Sequence, residues 1–189
     1  MPLTTLTTLP TLEEIAQKLE DIIAEHVEFE QPMNHYAAMV NELGFDSLDL
    51  IETSFCIQEH FDFEFSDKNA LEALDKALGG GVVIAEGKLT PLGLEMVIER
   101  MPELADVDLG SQLSPMDLQK HFSMITFARL IQEFLAAAPQ TCAETGEAVS
   151  FVDLVPRTSS GLKPVGLVNG DALLDAWVEK AVERLRAQT

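Results

Sequence analysis

The sequence predicts a mainly α fold with a small β element, and three observations carry that prediction. Apolar residues recur at helical spacing in several separate segments. Helix-start signals stand ahead of most of these segments: Thr11 with Glu14, Asp46, Thr90-Pro91, Ser114-Pro115 and Ser123. The runs that alternate or look extended are few and short.

Residues 11–27 read as a helix, with Thr11 and Glu14 as a capping box and Leu12, Ile15, Leu19, Ile22 and Ile23 on one face. Pro32 breaks the following segment, a short helix is expected over 36–43, and Gly44 punctuates it. The next helix spans Ser47–Phe61, with Asp46 ahead of it and Asp49 in its first turn, where acids favour a helix N-terminus. Residues 61–65 alternate like a short strand. A helix over 69–78 stops at Gly79-Gly80-Gly81, and 82–85 suits a short strand. Thr90 and Pro91 start a helix running to Met101; Ser114-Pro115 repeats the signal, and Ser123 opens another helix ending before Pro139. Residues 151–155 and 165–168 suit strands beside 82–85. From Asp171 a final amphipathic helix carries Leu173, Leu174, Trp177, Val178, Ala181, Val182 and Leu185 on one side.

The chain has 189 residues, 47% of them apolar, enough for a folded core. Its 32 acidic residues against 12 basic leave a net charge of −20. Nucleic acid is excluded as a partner, because phosphate binding needs Lys and Arg. Anionic membrane surfaces are disfavoured on the same ground. Partners with basic patches are expected instead. The charge is uneven: residues 1–78 hold 17 acids and 3 bases, and residues 79–189 hold 15 and 9. No apolar run reaches the roughly 18–20 residues that span a bilayer, so no membrane insertion is expected. Residues 1–5 lack the features of a secretory signal. Cys56 and Cys142 stand far apart, outside any CxxC or zinc pattern, and the four histidines are scattered. A cytoplasmic protein with two reduced thiols and no metal site is the expectation.

The informative stretch is Leu43-Gly44-Phe45-Asp46-Ser47-Leu48-Asp49-Leu50-Ile51-Glu52. A serine stands at a helix start, a glycine precedes it, acids surround it, and no general base is near in sequence. Free N–H groups and a partial positive charge at a helix N-terminus suit a phosphate ester. The site is better suited to holding a phosphodiester than to activating a nucleophile. On the helix after Ser47, Leu50, Ile57 and Phe61 form one stripe that suits a core. Leu48, Ile51 and Phe55 form a second, flanked by Asp49, Glu52 and Glu59. Two readings of the second stripe are open: a docking surface, or burial under the later segments.

These residues resemble an acyl carrier protein. The family shows a Gly-x-Asp-Ser-Leu signature, here Gly44-Phe45-Asp46-Ser47-Leu48, then an acidic helix, a phenylalanine and a short acidic-apolar segment, here from Phe61. The helix at 11–27 occupies the place of the family's first helix, and 118–135 resembles its third and fourth. The resemblance implies a four-helix bundle. It also implies that Ser47 carries 4′-phosphopantetheine, added by a phosphopantetheinyl transferase, and that the arm's thiol holds an acyl group as a thioester. The protein would then be no enzyme. It would deliver intermediates to acyl-transferring or acyl-condensing enzymes of fatty acid, lipid or polyketide synthesis. By the same resemblance, Asp46, Leu48, Asp49, Ile51, Glu52, Phe55 and Glu59 form the surface that partners read.

The chain departs from the family in length. The resemblance covers 11–67 and about 115–137, leaving 68–113 and 139–189 unexplained by it. The expected organisation is a carrier-like bundle over 11–137, interrupted by a helical insertion at 68–113, with a C-terminal extension at 139–189 packed on the bundle. The added segments have three open roles: a lid that enlarges the acyl cavity, a docking surface, or added stability. An unmodified carrier-like interaction module and a peptidyl carrier protein are the alternative functions. A hydrolase is disfavoured, because Ser47 lacks the Gly-x-Ser-x-Gly elbow. Asp106-Val107-Asp108-Leu109-Gly110 does not keep calcium-loop spacing, and no Gly-Lys-Ser/Thr follows Gly79-Gly80-Gly81.

Overall fold

A computed structural model describes residues 9–110 and 113–187; the reading of residues 1–5 lies outside them. Among the described residues there are six α-helices and two small hairpins. Helix α1 (Leu12–Ile23) begins as its capping box demands: the Thr11 hydroxyl accepts the Glu14 N–H, and the Glu14 carboxylate accepts the Thr11 N–H at 2.8 Å. Ile15, Leu19 and Ile23 are fully buried. The helix stops at Ile23, short of the expected 27, in a turn whose end, Val27, remains in the core.

Residues 36–43 form turns rather than the expected short helix. Their backbone is used elsewhere. The Met39 N–H donates to the Phe122 carbonyl at 2.8 Å, the His35 carbonyl accepts from the Ile125 N–H at 3.0 Å, and Ala38 bridges to Ser123. Pairing with a distant segment takes the place of a continuous local ladder, of which the Glu42 N–H on the Ala38 carbonyl at 2.9 Å remains. Buried Glu20 fixes the same loop, accepting the Met33 N–H at 2.9 Å and lying 2.6 Å from His35 Nε2.

Helix α2 (Ser47–Phe61) has the expected bounds. The segment 61–65 is not a strand. Phe61 closes α2, Asp62 adopts a left-handed conformation, and Phe63 turns into the core 4.6 Å from the Phe134 ring. Two of its N–H groups return to Gln58, from Phe63 to the main chain and from Phe65 to the side chain. The apolar alternation therefore reflects phenylalanines anchored on a bundle, not a sheet.

The next residues form α3 (Ala70–Ala77), capped by Asn69, and a minimal hairpin of β1 (Ile84–Ala85) and β2 (Lys88–Leu89). Helix α4 (Pro91–Arg100) follows, with Thr90 as cap and Pro91 first, as the sequence indicates. The start signal at Ser114 yields only a five-residue 3₁₀ helix, Asp117–His121, held by the Asp117 N–H on the Ser114 hydroxyl. Helix α5 (Met124–Ala136) is capped by Ser123. Strands β3 (Val149–Val152) and β4 (Val155–Thr158) pair with each other, not with β1, and 165–168 is not a strand. Helix α6 (Gly170–Ala187) ends the described chain.

Two hydrophobic clusters result. One gathers α1, α2 and α5, with Phe45, Phe63 and Val155. The other gathers α3, β2 and α4 with Leu104, Leu113 and Leu118. Phe122 touches both. Helix α6 is shared in an instructive way. Its Leu173 packs on the first cluster, whereas Trp177, Ala181, Val182 and Leu185 pack on the second. The C-terminal helix thus buries its Trp177 stripe mainly against the insertion.

Candidate functional site

The chain approaches α2 along a fixed path. Phe45 is buried, and its N–H donates to the Met39 carbonyl at 2.9 Å. Asp46 then caps the helix: one carboxylate oxygen accepts the N–H groups of Leu48 at 2.7 Å and Asp49 at 3.0 Å. Asp49 reciprocates, accepting the Asp46 N–H at 2.8 Å. This double cap frees Ser47 from any capping duty. Ser47 is the first helical residue, it is exposed, and its hydroxyl makes no hydrogen bond among the described residues.

The geometry corrects one expectation. The first-turn N–H groups that were to suit a phosphate are already taken by Asp46. A phosphate ester on Ser47 would also stand beside two carboxylates, so repulsion directs it outward from the helix end. No histidine is hydrogen-bonded to Ser47 among the described residues: His35 pairs with Glu20, and His60 lies near Asp153. A nucleophile activated by an imidazole is not assembled here.

The two stripes of α2 separate as their chemistry suggests. Ile57 and Phe61 are fully buried and Leu50 packs against the core. Leu48, Ile51 and Phe55 are 66%, 65% and 62% exposed, so the later segments do not cover them. Asp46, Glu52 and Glu59 are exposed beside them, and Asp49 is half-buried in its capping role. The seven expected surface residues therefore share the outer side and the start of one helix.

Beside this stripe a cleft of about 740 Å³ opens. Ser47, Ser54 and Gln58 of α2 line one side, Phe127 and Leu130 of α5 another, and Met96 and Trp177 the side built by α4 and α6. Arg100 stands 5.0 Å from the Trp177 ring centre and pairs with Glu133 at 2.9 Å. Sequence reasoning missed this cleft. Its signal was the Trp177 stripe, which had to be covered somewhere, but only the fold brings that stripe to the flank of α2.

Both cysteines are free and buried. Burial pushes the Cys56 thiol up, and Glu52 and Glu59 add to the shift. The Thr145 side chain and the N–H groups of Thr145, Val165 and Glu144 hold the Cys142 thiol down to about 7. No cluster of potential metal ligands occurs among the described residues, nor any helix long and apolar enough to cross a membrane.

Fold and site together define a helical protein that presents one unpartnered serine at the head of an acidic helix. Curated relatives narrow the class. The chain is 37% identical over 57 residues to an acyl carrier protein of Coprothermobacter proteolyticus, a match covering 30% of this chain and 70% of the relative. It is 33% identical over 60 residues to an acyl carrier protein of Buchnera aphidicola, covering 31% of this chain and 75% of the relative. The chain belongs to the acyl carrier protein family. The rest of its length lies outside those matches. No family model matches the chain, and no solved structure does.

Proposed function

We propose that this protein is a carrier without catalytic activity of its own, with Ser47 as the attachment point of 4′-phosphopantetheine. The supporting observation is the exposed, unpartnered Ser47 hydroxyl, released from capping by its neighbour Asp46. A phosphopantetheinyl transferase would form one phosphorus–oxygen bond at Ser47 Oγ as the hydroxyl proton and the donor's leaving group depart. When bound, the arm supplies a terminal thiol that holds an acyl group as a thioester.

The chain's own residues do the rest. The reciprocal Asp46–Asp49 cap holds the helix start rigid, so the attachment atom keeps one position. The flanking carboxylates direct the phosphate into solvent. Leu48, Ile51 and Phe55 offer apolar contact, and Glu52 and Glu59 steer enzymes that carry basic patches. Each exposed ion pair contributes only about 0.2–1 kcal/mol, which suits brief docking. A tethered cargo reaches its partner's site at an effective concentration on the order of millimolar, so tight docking is unnecessary. Acyl-transferring or acyl-condensing enzymes of fatty acid, lipid or polyketide synthesis are the partner class, and the cytoplasm is the compartment.

Incubation of the purified chain with a broad-specificity phosphopantetheinyl transferase and coenzyme A tests this reading by intact mass. One added arm is expected on the wild type and none on Ser47→Ala. An unmodified wild type would favour an interaction module that carries nothing.

A further inference from the structure

We infer that Asn169 is a modification site of this chain: the joint at the head of α6 restrains an asparagine-to-isoaspartate rearrangement that, once it has occurred, keeps the joint from closing again. The inference stands independently of the role of Ser47.

The residue types supply the chemistry. Of the four asparagines, Asn34, Asn41, Asn69 and Asn169, only Asn169 is followed by glycine. Glycine has no side chain to crowd its nitrogen, and its backbone turns freely. The Gly170 nitrogen can therefore reach the side-chain carbonyl carbon of Asn169. In that step the bond from Gly170 N to Asn169 Cγ forms and the Cγ–Nδ2 bond breaks. The Gly170 amide proton departs with the side-chain nitrogen as ammonia. Water then opens the cyclic imide. Opening at Cγ gives aspartate with an ordinary main chain. Opening at the main-chain carbonyl of residue 169 gives isoaspartate, whose main chain runs through Cβ and Cγ and is longer by a carbon.

The fold holds back the first step at both reacting groups. Gly170 is buried, and its N–H donates to the Glu64 carbonyl at 2.7 Å. Asn169 is exposed, but its Oδ1 accepts the Ala172 N–H at 2.9 Å and its main-chain carbonyl accepts the Leu173 N–H at 3.1 Å. The side-chain amide is thus engaged as a cap on α6. Turning the Gly170 nitrogen onto Cγ releases both restraints, so the reaction runs from the opened joint at a rate set by how often it opens.

The same geometry decides what each product does. A Cβ at Gly170 would lie 2.3 Å from the Ser66 nitrogen and 2.7 Å from the Phe65 carbonyl carbon. A space that rejects one methyl group does not take an extra main-chain carbon beside it. Isoaspartate therefore displaces the Gly170 N–H from Glu64 and unfastens the head of α6. Aspartate is instead a good cap, and its charge suits a helix N-terminus. Helix α6 is the element that packs Trp177, Ala181 and Val182 on the second cluster, so its release uncouples the C-terminal extension.

The chain carries its own control. Asn69 caps α3, its Oδ1 accepting the N–H groups of Leu71 at 3.0 Å and Glu72 at 3.2 Å, but Ala70 follows it.

The test ages the full purified chain at mildly alkaline pH and maps its tryptic peptides by mass. Residues 158–180 report Asn169, and a synthetic peptide of the same residues gives the unrestrained rate. Asn169 should convert roughly tenfold more slowly in the folded chain than in the peptide, with Asn69 unchanged. Ser66→Ala removes the Ser66 bond to Asp171 without touching either reacting group, and should speed conversion about threefold or more. Trp177, the only tryptophan, reads the consequence. The isoaspartate form, separated by chromatography, should emit red-shifted from the fresh wild type. Asn169→Asp should match the fresh wild type, and aged Asn169→Ser should show no shift. A folded chain that converts as fast as the peptide, or Ser66→Ala converting no faster than wild type, would overturn the gate. An isoaspartate form with unaltered Trp177 emission, or Asn169→Asp already red-shifted, would overturn the release of α6.

Discussion

The N–H of Gly170 donates to the carbonyl of Glu64 at 2.7 Å, fastening the head of α6 to the segment that leaves α2. A Cβ at Gly170 would lie 2.3 Å from the Ser66 nitrogen and 2.6 Å from the Glu64 oxygen. Both are backbone atoms and cannot rotate away. Beside this contact the Ser66 hydroxyl donates to Asp171 at 2.5 Å, and Lys68 lies 3.4 Å from Asp171 and Asp175. The joint between the carrier-like portion and the C-terminal helix is therefore a backbone contact with polar support.

Gly170→Ala should destabilise the protein by about 1–3 kcal/mol, the range of overpacked sites. For a chain of this size that lowers the melting temperature by roughly 2–4 °C per kcal/mol. The change should also loosen α6 and red-shift Trp177 emission. Thermal melts followed by tryptophan fluorescence check both effects.

Asp75 organises the turn after α3. Its carboxylate accepts the N–H groups of Gly81, Val82, Val83 and Ile84. Burial pushes the carboxyl up, but the four N–H groups outweigh it and hold it below its ordinary 3.8. Asp75→Ala should cost about 2–3 kcal/mol, since charged hydrogen bonds are lost and donors are left unpaired. A depressed folded pKa means stability present above about pH 4 and lost as the pH falls through the folded value. The gap between wild type and Asp75→Asn in urea melts should thus be constant near neutrality and shrink below pH 4.

Cys142 supplies a pH effect in the alkaline direction. Its thiol is held at about 7 in the folded chain against an ordinary 9.0, chiefly by Thr145. The folded state therefore favours the thiolate, and its stabilising share grows as the pH rises from about 7 to 9. The melting temperature of the wild type relative to Cys142→Ala should rise across that window. A flat difference would show that the thiol is not held down.

The exposed stripe of α2 should matter to partners and not to folding. Ile51→Glu adds no buried charge, because Ile51 is exposed, and stability should shift by no more than about 0.5 kcal/mol. With a phosphopantetheinyl transferase as the probe, kcat/KM should fall about tenfold, which corresponds to about 1.4 kcal/mol. Urea melts and the rate of arm addition read the two effects separately.

Local signals in the sequence translated directly into structure. Thr11 with Glu14, Asp46 with Asp49, Thr90 with Pro91, and Ser123 each open a helix where their chemistry indicates. Ser47 and the exposed Leu48, Ile51 and Phe55 were legible for the same reason, since all lie on one helix with one repeat. The misread segments share a different cause. Met39 in the 36–43 segment gives its N–H to Phe122, and after Phe61 the Phe63 ring packs on Phe134 while the Glu64 carbonyl takes the Gly170 N–H, so neither segment pairs with a neighbouring strand. Partners 71 to 106 residues away leave no local trace. The cleft was illegible on the same ground, because its walls join Ser47 to Trp177.

The role of the Ser47 hydroxyl is tested most directly by the mass of one peptide from protein isolated from its own cells. Tryptic cleavage after Lys18 and Lys68 isolates residues 19–68, with Ser47 the first of that fragment's helix α2. This peptide should carry one phosphopantetheinyl group, localised to Ser47 by fragmentation. A peptide found wholly unmodified, or bearing the arm on Ser54 or Ser66, would contradict it.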